Sequence, residues 1–110
     1  MYKIQIKPLS VNDAYRGRRY ATQELKQYKR DVSLLLPKNI QKPRGRIDVK
    51  YVFGVSSKNA DGDNAIKAFQ DILAEYMGFN DREIYHWDIT KVDVEKGEEF
   101  ISFELSTYNS

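Results

Sequence analysis

The segment Asn59-Ala60-Asp61-Gly62-Asp63-Asn64-Ala65-Ile66-Lys67-Ala68-Phe69-Gln70-Asp71-Ile72-Leu73 sets the organisation of the chain. Three carboxylates and one lysine lie between positions 61 and 71. The spacing predicts a loop that turns into a helix running from about Asp63 to Met77. At ~100° per residue, Ile66, Phe69, Leu73 and Tyr76 share one stripe. Asp63, Lys67 and Asp71 form a second stripe beside it at i, i+4 and i+8. One face of this helix is therefore core, and its neighbour carries a fixed array of charge. Asp61 and Asp63 stand at the helix mouth. Gly78 fits the left-handed position that ends a helix, with Phe79 as the hydrophobic contact that closes such a cap. That turn would return the chain toward the helix mouth with Asp81, which otherwise reads as a surface loop acid.

Working outward, Ile47, Val49, Tyr51, Phe53 and Val55 alternate with other residues and predict a strand ahead of the acidic segment. Val52 on its other face points to partial burial on both sides. After the helix, residues 84–94 predict a strand containing Trp87, Ile89, Val92 and Val94. Glu95-Lys96-Gly97-Glu98 reads as a hairpin turn, followed by a strand from Phe100 to Ser106 with Ile101, Phe103 and Leu105 inward. At the other end, Tyr2 to Lys7 alternates as a strand that Pro8 stops. Residues 10–20 lack a clean period and read as an ordered loop. Thr22 is a predicted N-cap, and Leu25, Tyr28, Val32 and Leu35 recur at helical spacing until Pro37. The order β-α-β-α-β-β predicts one α+β (mixed α/β) domain over residues 1–110, a small mixed sheet with two main helices.

The 110 residues suit a single compact domain, with 41% apolar residues and a core enriched by eight tyrosines and five phenylalanines. The absence of cysteine excludes disulfides, thiolate metal sites and a cysteine nucleophile. No apolar run of membrane-spanning length and no signal-peptide pattern is present, so the expected setting is the cytoplasm, away from membranes. The net charge of +2 conceals an asymmetry. Residues 1–50 hold 13 Lys/Arg and 4 Asp/Glu, a net of +9, whereas residues 51–110 hold 5 and 12, a net of −7. The first half is suited to a polyanion and the second to a cation. Two solvated surfaces that neutralise each other in the fold would give the same split.

Within the basic half, Asn12, Tyr15, Arg16, Arg18 and Arg19 belong to a loop in which arginines interleave with tyrosines. Arginine offers paired donors to phosphate, and tyrosine stacks on bases. Lys26, Lys29 and Arg30 on the polar side of the first helix extend that surface. A solvated basic loop is the plain alternative.

In the acidic half, carboxylates at i and i+2, joined by one from elsewhere, suit a hard divalent cation such as Mg²⁺, which takes oxygen ligands and keeps several waters. Such an ion activates water and stabilises the leaving oxygen in phosphodiester hydrolysis. The segment is not an EF-hand, because Ala65 and Ile72 stand where that loop needs a ligand and a glutamate. It has too few glycines to cradle phosphate. Simple helix capping by Asp and Asn, with Lys67 paired to Asp63 or Asp71, explains the same residues structurally. Lys67 can equally stabilise charge growing on a phosphate, with Asp71 holding it in place. The lone His86 has no nucleophile elbow to serve and reads as a partly exposed strand residue. Arg82, Glu83 and Asp88 read as surface residues.

The pattern Asp61-x-Asp63-Asn64-x-x-Lys67-x-x-x-Asp71-x-Leu73, followed by Gly78-Phe79 and Asp81, resembles the signature of the RusA family of phage and prophage Holliday junction resolvases. Ser10-Val11-Asn12-x-x-Tyr15 followed by arginines is similar to the family's N-terminal loop, although Pro8-Leu9 stands where the family has a double proline. Lys91 matches a recurrent lysine. The likeness runs from about residue 3 to 105. It implies a RusA-like fold and a Mg²⁺-dependent endonuclease, with Mn²⁺ as a substitute ion. It implies a homodimer that cuts four-way DNA junctions in recombination and repair, in the cytoplasm of a bacterial host. Asp61, Asp63 and Asp81 would bind the metal and, with Lys67, carry catalysis; Asn64 and Asp71 would support them. The dimer would form through an apolar strand face or the edge of the last strand. Two other classes stay open on the residues alone: a non-catalytic DNA-binding protein with a structural acidic helix mouth, and a metal-dependent hydrolase of small phosphates.

Overall fold

The computed structural model describes residues 1–9, 15–16, 20–21, 23–56 and 62–109, with the backbone course alone at residues 15–16, 20–21 and 62–65. The strands are β1 (Tyr2–Ile4), β2 (Tyr15–Arg16), β3 (Tyr20–Ala21), β4 (Ile47–Val55), β5 (Ile84–Asp93) and β6 (Phe100–Thr107). The helices are α1 (Gln23–Leu35) and α2 (Gly62–Met77), and a 3-10 turn covers Asp81–Glu83. A four-stranded sheet has the order β1-β6-β4-β5, and β2 and β3 form a separate small ribbon. The expected α+β architecture and element order are therefore present.

β4 is the centre of the sheet. Its burial follows its sequence: Ile47, Val49, Tyr51 and Phe53 are fully buried, while Lys50 between them is exposed. β5 pairs with it in parallel and β6 antiparallel. Parallel neighbours need a crossover, and α2 is that crossover. Phe69 of α2 sits edge-on against Tyr51 and Phe53, with ring centroids 5.7 and 6.4 Å away, and meets Phe103 of β6 at 5.6 Å. These four rings anchor the helix to the sheet. The alternate residues of β4 lie on the opposite face. There Asp48 accepts a 2.9 Å contact from the His86 ring, which is exposed as expected.

Several local expectations change. Residues 95–98 do form a tight turn, with Glu98 N–H bonded to the Glu95 carbonyl and Gly97 at φ 97°. It is not a hairpin, because β5 and β6 lie on opposite sides of β4. The turn instead carries the chain over the end of β4. Glu99 fastens it there, accepting from the Ser56 hydroxyl at 2.6 Å and from Gly97 N–H at 2.8 Å. β1 stops at Ile4 rather than Lys7 because Ile4 opposes Ile101 and β6 begins one residue earlier, so the ladder runs out. The edge of the last strand is not available for dimerisation: β6 is bonded on both sides, and the outer strands are β1 and β5.

The helical stripes also shift. On α1, Tyr28 and Val32 are buried, but Leu35 is exposed and Leu36 takes the core position. The i, i+4 series 28, 32, 36 continues because Leu36 N–H still bonds the Val32 carbonyl. On α2, Phe69 and Leu73 are fully buried and Ala68 and Ile72 widen the stripe. Tyr76 lies outside it, 39% exposed, with its hydroxyl donating to the Pro37 carbonyl at 3.1 Å.

Gly54 shows why β4 needs a residue without Cβ at one point. The Phe100 ring covers it so closely that a methyl group has no room. Gly54→Ala should cost about 1–3 kcal/mol of stability, the usual penalty for overpacking. Urea unfolding of the two proteins measures the difference, and an unchanged midpoint would mean that Phe100 swings aside freely.

Candidate active site

The site is assembled where α2, the chain reversal after it and β5 meet. Gly78 ends α2 with φ 79°, and both Gly78 and Phe79 donate their N–H groups to the Ala74 carbonyl. Phe79 is buried against the core, so the left-handed cap forms as its sequence predicts. Asn80 then caps the 3-10 turn, its side chain accepting from Arg82 N–H at 2.9 Å. This places Asp81 beside the middle of α2.

The Asp81 Oδ1 atom accepts a 3.3 Å hydrogen bond from the side-chain amide of Gln70. Gln70 is 7% exposed. Its oxygen accepts from the Tyr51 hydroxyl at 3.1 Å and from the Trp87 indole N–H at 3.0 Å. One buried amide thus joins α2, β4, β5 and the 3-10 turn. Sequence reading passed over this residue, because a glutamine at helical spacing carries no chemical signature. A polar residue between Phe69 and Ile72, at the border of an apolar stripe, was the available signal.

Lys67 and Asp71 form an i, i+4 ion pair at 3.8 Å on the exposed side of the same helix, so the lysine pairs with the later acid as one of the two expected arrangements has it. Burial raises the Asp71 carboxyl above the ordinary aspartate range; Lys67 pulls it back, and the negative charge of Asp81 adds to the lift. Burial likewise pushes the Tyr51 hydroxyl up, with Asp81 contributing again. Asp81 is therefore close enough to be felt by both. A carboxyl lifted by burial and by the charge of a neighbouring carboxylate is the environment a divalent cation relieves, and these oxygen donors are those Mg²⁺ prefers. In this respect the donor set fits such an ion. Among the described residues alone, no three His, Cys, Asp or Glu groups gather to hold one. Asp61 lies outside the described residues. Asp63 and Asn64 fall in the first turn of α2, but their side chains lie outside the description.

The residues expected to grip nucleic acid divide similarly. Asn12, Arg18 and Arg19 lie outside the described residues. Tyr15 and Arg16 form β2, paired with Ala21 and Tyr20 of β3. Lys26 and Arg30 are exposed on α1. Lys29 is turned to α2, where it meets Glu75 at 2.8 Å. Lys42 and Glu83 pair at 3.0 Å. The basic first half and acidic second half thus neutralise each other in part, as the plain reading of the charge split has it. Lys91 lies on β5 opposite Phe53 of β4. No helix among the described residues is long and apolar enough to cross a membrane.

Comparison with known proteins decides the rest. The family model described as Endodeoxyribonuclease RusA matches residues 6–102. The chain belongs to the RusA family. No curated protein matches it significantly. The RusA match covers α1, the whole of β4, α2 and β5, and the start of β6, so the Asp81–Gln70–Trp87 cluster lies inside it. The protein is accordingly a Holliday junction endodeoxyribonuclease whose substrate is junction DNA, and the non-catalytic reading falls away.

The elevated Asp71 carboxyl has a consequence for stability. Its folded pKa lies above the ordinary value of 3.8, so the native state holds the proton more tightly and ionisation opposes folding. That opposition is complete above the raised pKa and disappears as pH falls below the ordinary value. In the presence of a chelator, Asp71→Asn should raise the thermal midpoint at neutral pH, and the two proteins should converge under acid. Circular dichroism melts across that range check the sign.

Proposed function

We propose that this RusA-family enzyme resolves four-way DNA junctions by Mg²⁺-dependent hydrolysis at a site formed by Asp61, Asp63 and Asp81, with Mn²⁺ able to substitute. The observation that carries the reading is the return of Asp81 to the Lys67–Asp71 face of α2, anchored by Gln70. Asp61 and Asp63 come from the opposite end of the same crossover, two residues apart in sequence. The ion supplies an activated water and charge neutralisation at the scissile phosphate.

The chain's own residues have distinct tasks. The carboxylates of Asp61, Asp63 and Asp81 provide the negative charge and oxygen donors that hold the ion. Lys67 places a positive charge beside the developing phosphorane charge, where a fixed ammonium is worth most. Asp71 fixes the reach of Lys67 through their ion pair, and Asn64 supports the helix mouth. Hydrolysis on these terms leaves a 5′-phosphate and a 3′-hydroxyl. Acidic side chains repel DNA, so the grip comes from elsewhere: Asn12, Tyr15, Arg16, Arg18 and Arg19 of the N-terminal segment with Lys26 and Arg30 of α1, Lys29 lending charge from its pair with Glu75. A four-way junction has approximate two-fold symmetry and requires two matched cuts, which a two-fold homodimer supplies with two sites.

A labelled synthetic four-way junction and a matched linear duplex, each incubated with and without Mg²⁺, test this directly. Paired nicking of the junction alone, and with the ion alone, is expected. Asp63→Asn should bind junctions and fail to cut them; wild-type cleavage by that variant would remove the residue from the site. Arg18→Ala and Arg19→Ala should each weaken junction binding and lower the slope of log K against log salt by about one. An unchanged slope would take that loop out of the interface.

A further inference from the structure

We infer that Gln70 is the positioning residue for Asp81, and that Tyr51 and Trp87 lock the Gln70 amide in the orientation this requires. The inference rests on the reading of Asp81 as a metal ligand. A side-chain amide has two nearly isosteric ends, one that donates and one that accepts. The indole N–H of Trp87 can only donate, so the end of Gln70 at 3.0 Å from it must be the oxygen. The Tyr51 hydroxyl donates to that same oxygen at 3.1 Å. With Oε1 committed twice on the sheet side, the NH₂ end has one direction left, and Asp81 Oδ1 stands there at 3.3 Å.

The arrangement is costly unless it has a task. Gln70 is buried beside Phe69, where leucine would pack without any polar group to satisfy. Its partners come from three other elements distant in sequence, so the amide is held from outside α2. What it delivers to Asp81 is a neutral donor on one oxygen. The carboxylate is turned to a fixed angle without a cation being set against it, and among the described residues Oδ2 makes no hydrogen bond. A buried lysine or arginine in the same place would cancel the charge that attracts a cation. Such outer partners of ligating carboxylates typically alter metal affinity by ~10–100-fold.

The same geometry supplies its own reporter. Trp87 is the only tryptophan in the chain. Its indole N–H is two hydrogen bonds from the Asp81 carboxylate, so a charge placed on Asp81 polarises the amide and changes the indole emission. Occupation of the site should therefore be visible in intrinsic fluorescence without any DNA present.

The test is a Mg²⁺ titration of the full chain, followed by calorimetry and by Trp87 fluorescence, with junction cleavage measured over the same concentrations. Wild-type fluorescence should change with the calorimetric midpoint. Gln70→Leu should weaken Mg²⁺ binding ~10–100-fold and uncouple the Trp87 signal. Its cleavage should need proportionately more Mg²⁺ and approach the wild-type rate at saturation, a split that general destabilisation does not produce. Trp87→Phe leaves Gln70 in place but frees its amide to turn over, and should weaken calorimetric binding severalfold. Asp81→Asn separates the two layers of the argument. If it abolishes Mg²⁺ binding while Gln70→Leu and Trp87→Phe bind as wild type, Asp81 is a ligand and the positioning role is overturned. If Asp81→Asn binds Mg²⁺ as wild type, the ligand reading itself fails and the positioning role goes with it.

Discussion

The pairing of β4 with β5 in parallel is the constraint from which the rest follows. Two parallel neighbours cannot be joined by a short turn, so the chain must leave the end of β4, cross the sheet and re-enter at its beginning. α2 is that crossing, and Phe69 clamps it against Tyr51, Phe53 and Phe103. Asp63 in the first turn of the helix and Asp81 after it then belong to the two ends of one supersecondary unit. The reversal at Gly78 shortens the return path and lays Asp81 along the flank of the helix instead of beyond its end. The Phe69 clamp therefore also holds Gln70 and, through it, Asp81 in place.

The distribution of charge follows a similar economy of position. α1 brings lysines and an arginine alongside an acidic helix, and Lys29 reaches Glu75 across the gap. Exposed pairs of this kind contribute little to stability, ~0–1 kcal/mol each. Their importance lies in where they leave the field. Lys29 and Lys42 are matched by Glu75 and Glu83, whereas Lys26 and Arg30 face solvent on α1.

The fold was legible where periodicity is unambiguous. β4 reads correctly to the residue because apolar side chains occupy every second position from Ile47 to Val55 and all five are buried. α2 ends where Gly78 requires, because a left-handed backbone position is a local property that the sequence states openly. What periodicity cannot state is which strand lies beside which. The turn at residues 95–98 has hairpin chemistry, yet its strands flank β4, because pairing is decided by the long-range fit of Phe53 with Ile101 and Tyr51 with Phe103. Leu35 and Leu36 are equally apolar, and only the exact rotation of α1 on the sheet chose the second. The Asp-x-Asp-Asn-x-x-Lys-x-x-x-Asp spacing pointed to the family that the RusA match then showed. Gln70 was illegible for a deeper reason: its partners at positions 51, 81 and 87 converge only in three dimensions.

That convergence also explains a preference among possible supports. On the proposed reading of Asp81 as a metal ligand, its carboxylate needs to be fixed in direction without losing charge. Cations fix direction by neutralising, and backbone amides are already spent within α2 on its own helical bonds. A side-chain amide answers both demands, provided that its two ends are told apart. Tryptophan makes that distinction better than serine, threonine or tyrosine could, since its N–H has no acceptor capacity and tolerates only one orientation of the amide. Lys67, meanwhile, is occupied by Asp71, one residue further along the helix and on its more exposed side. The two neighbouring positions 70 and 71 thus divide the work. Gln70 holds an acid with a neutral group, and Asp71 restrains a cation with a charged one.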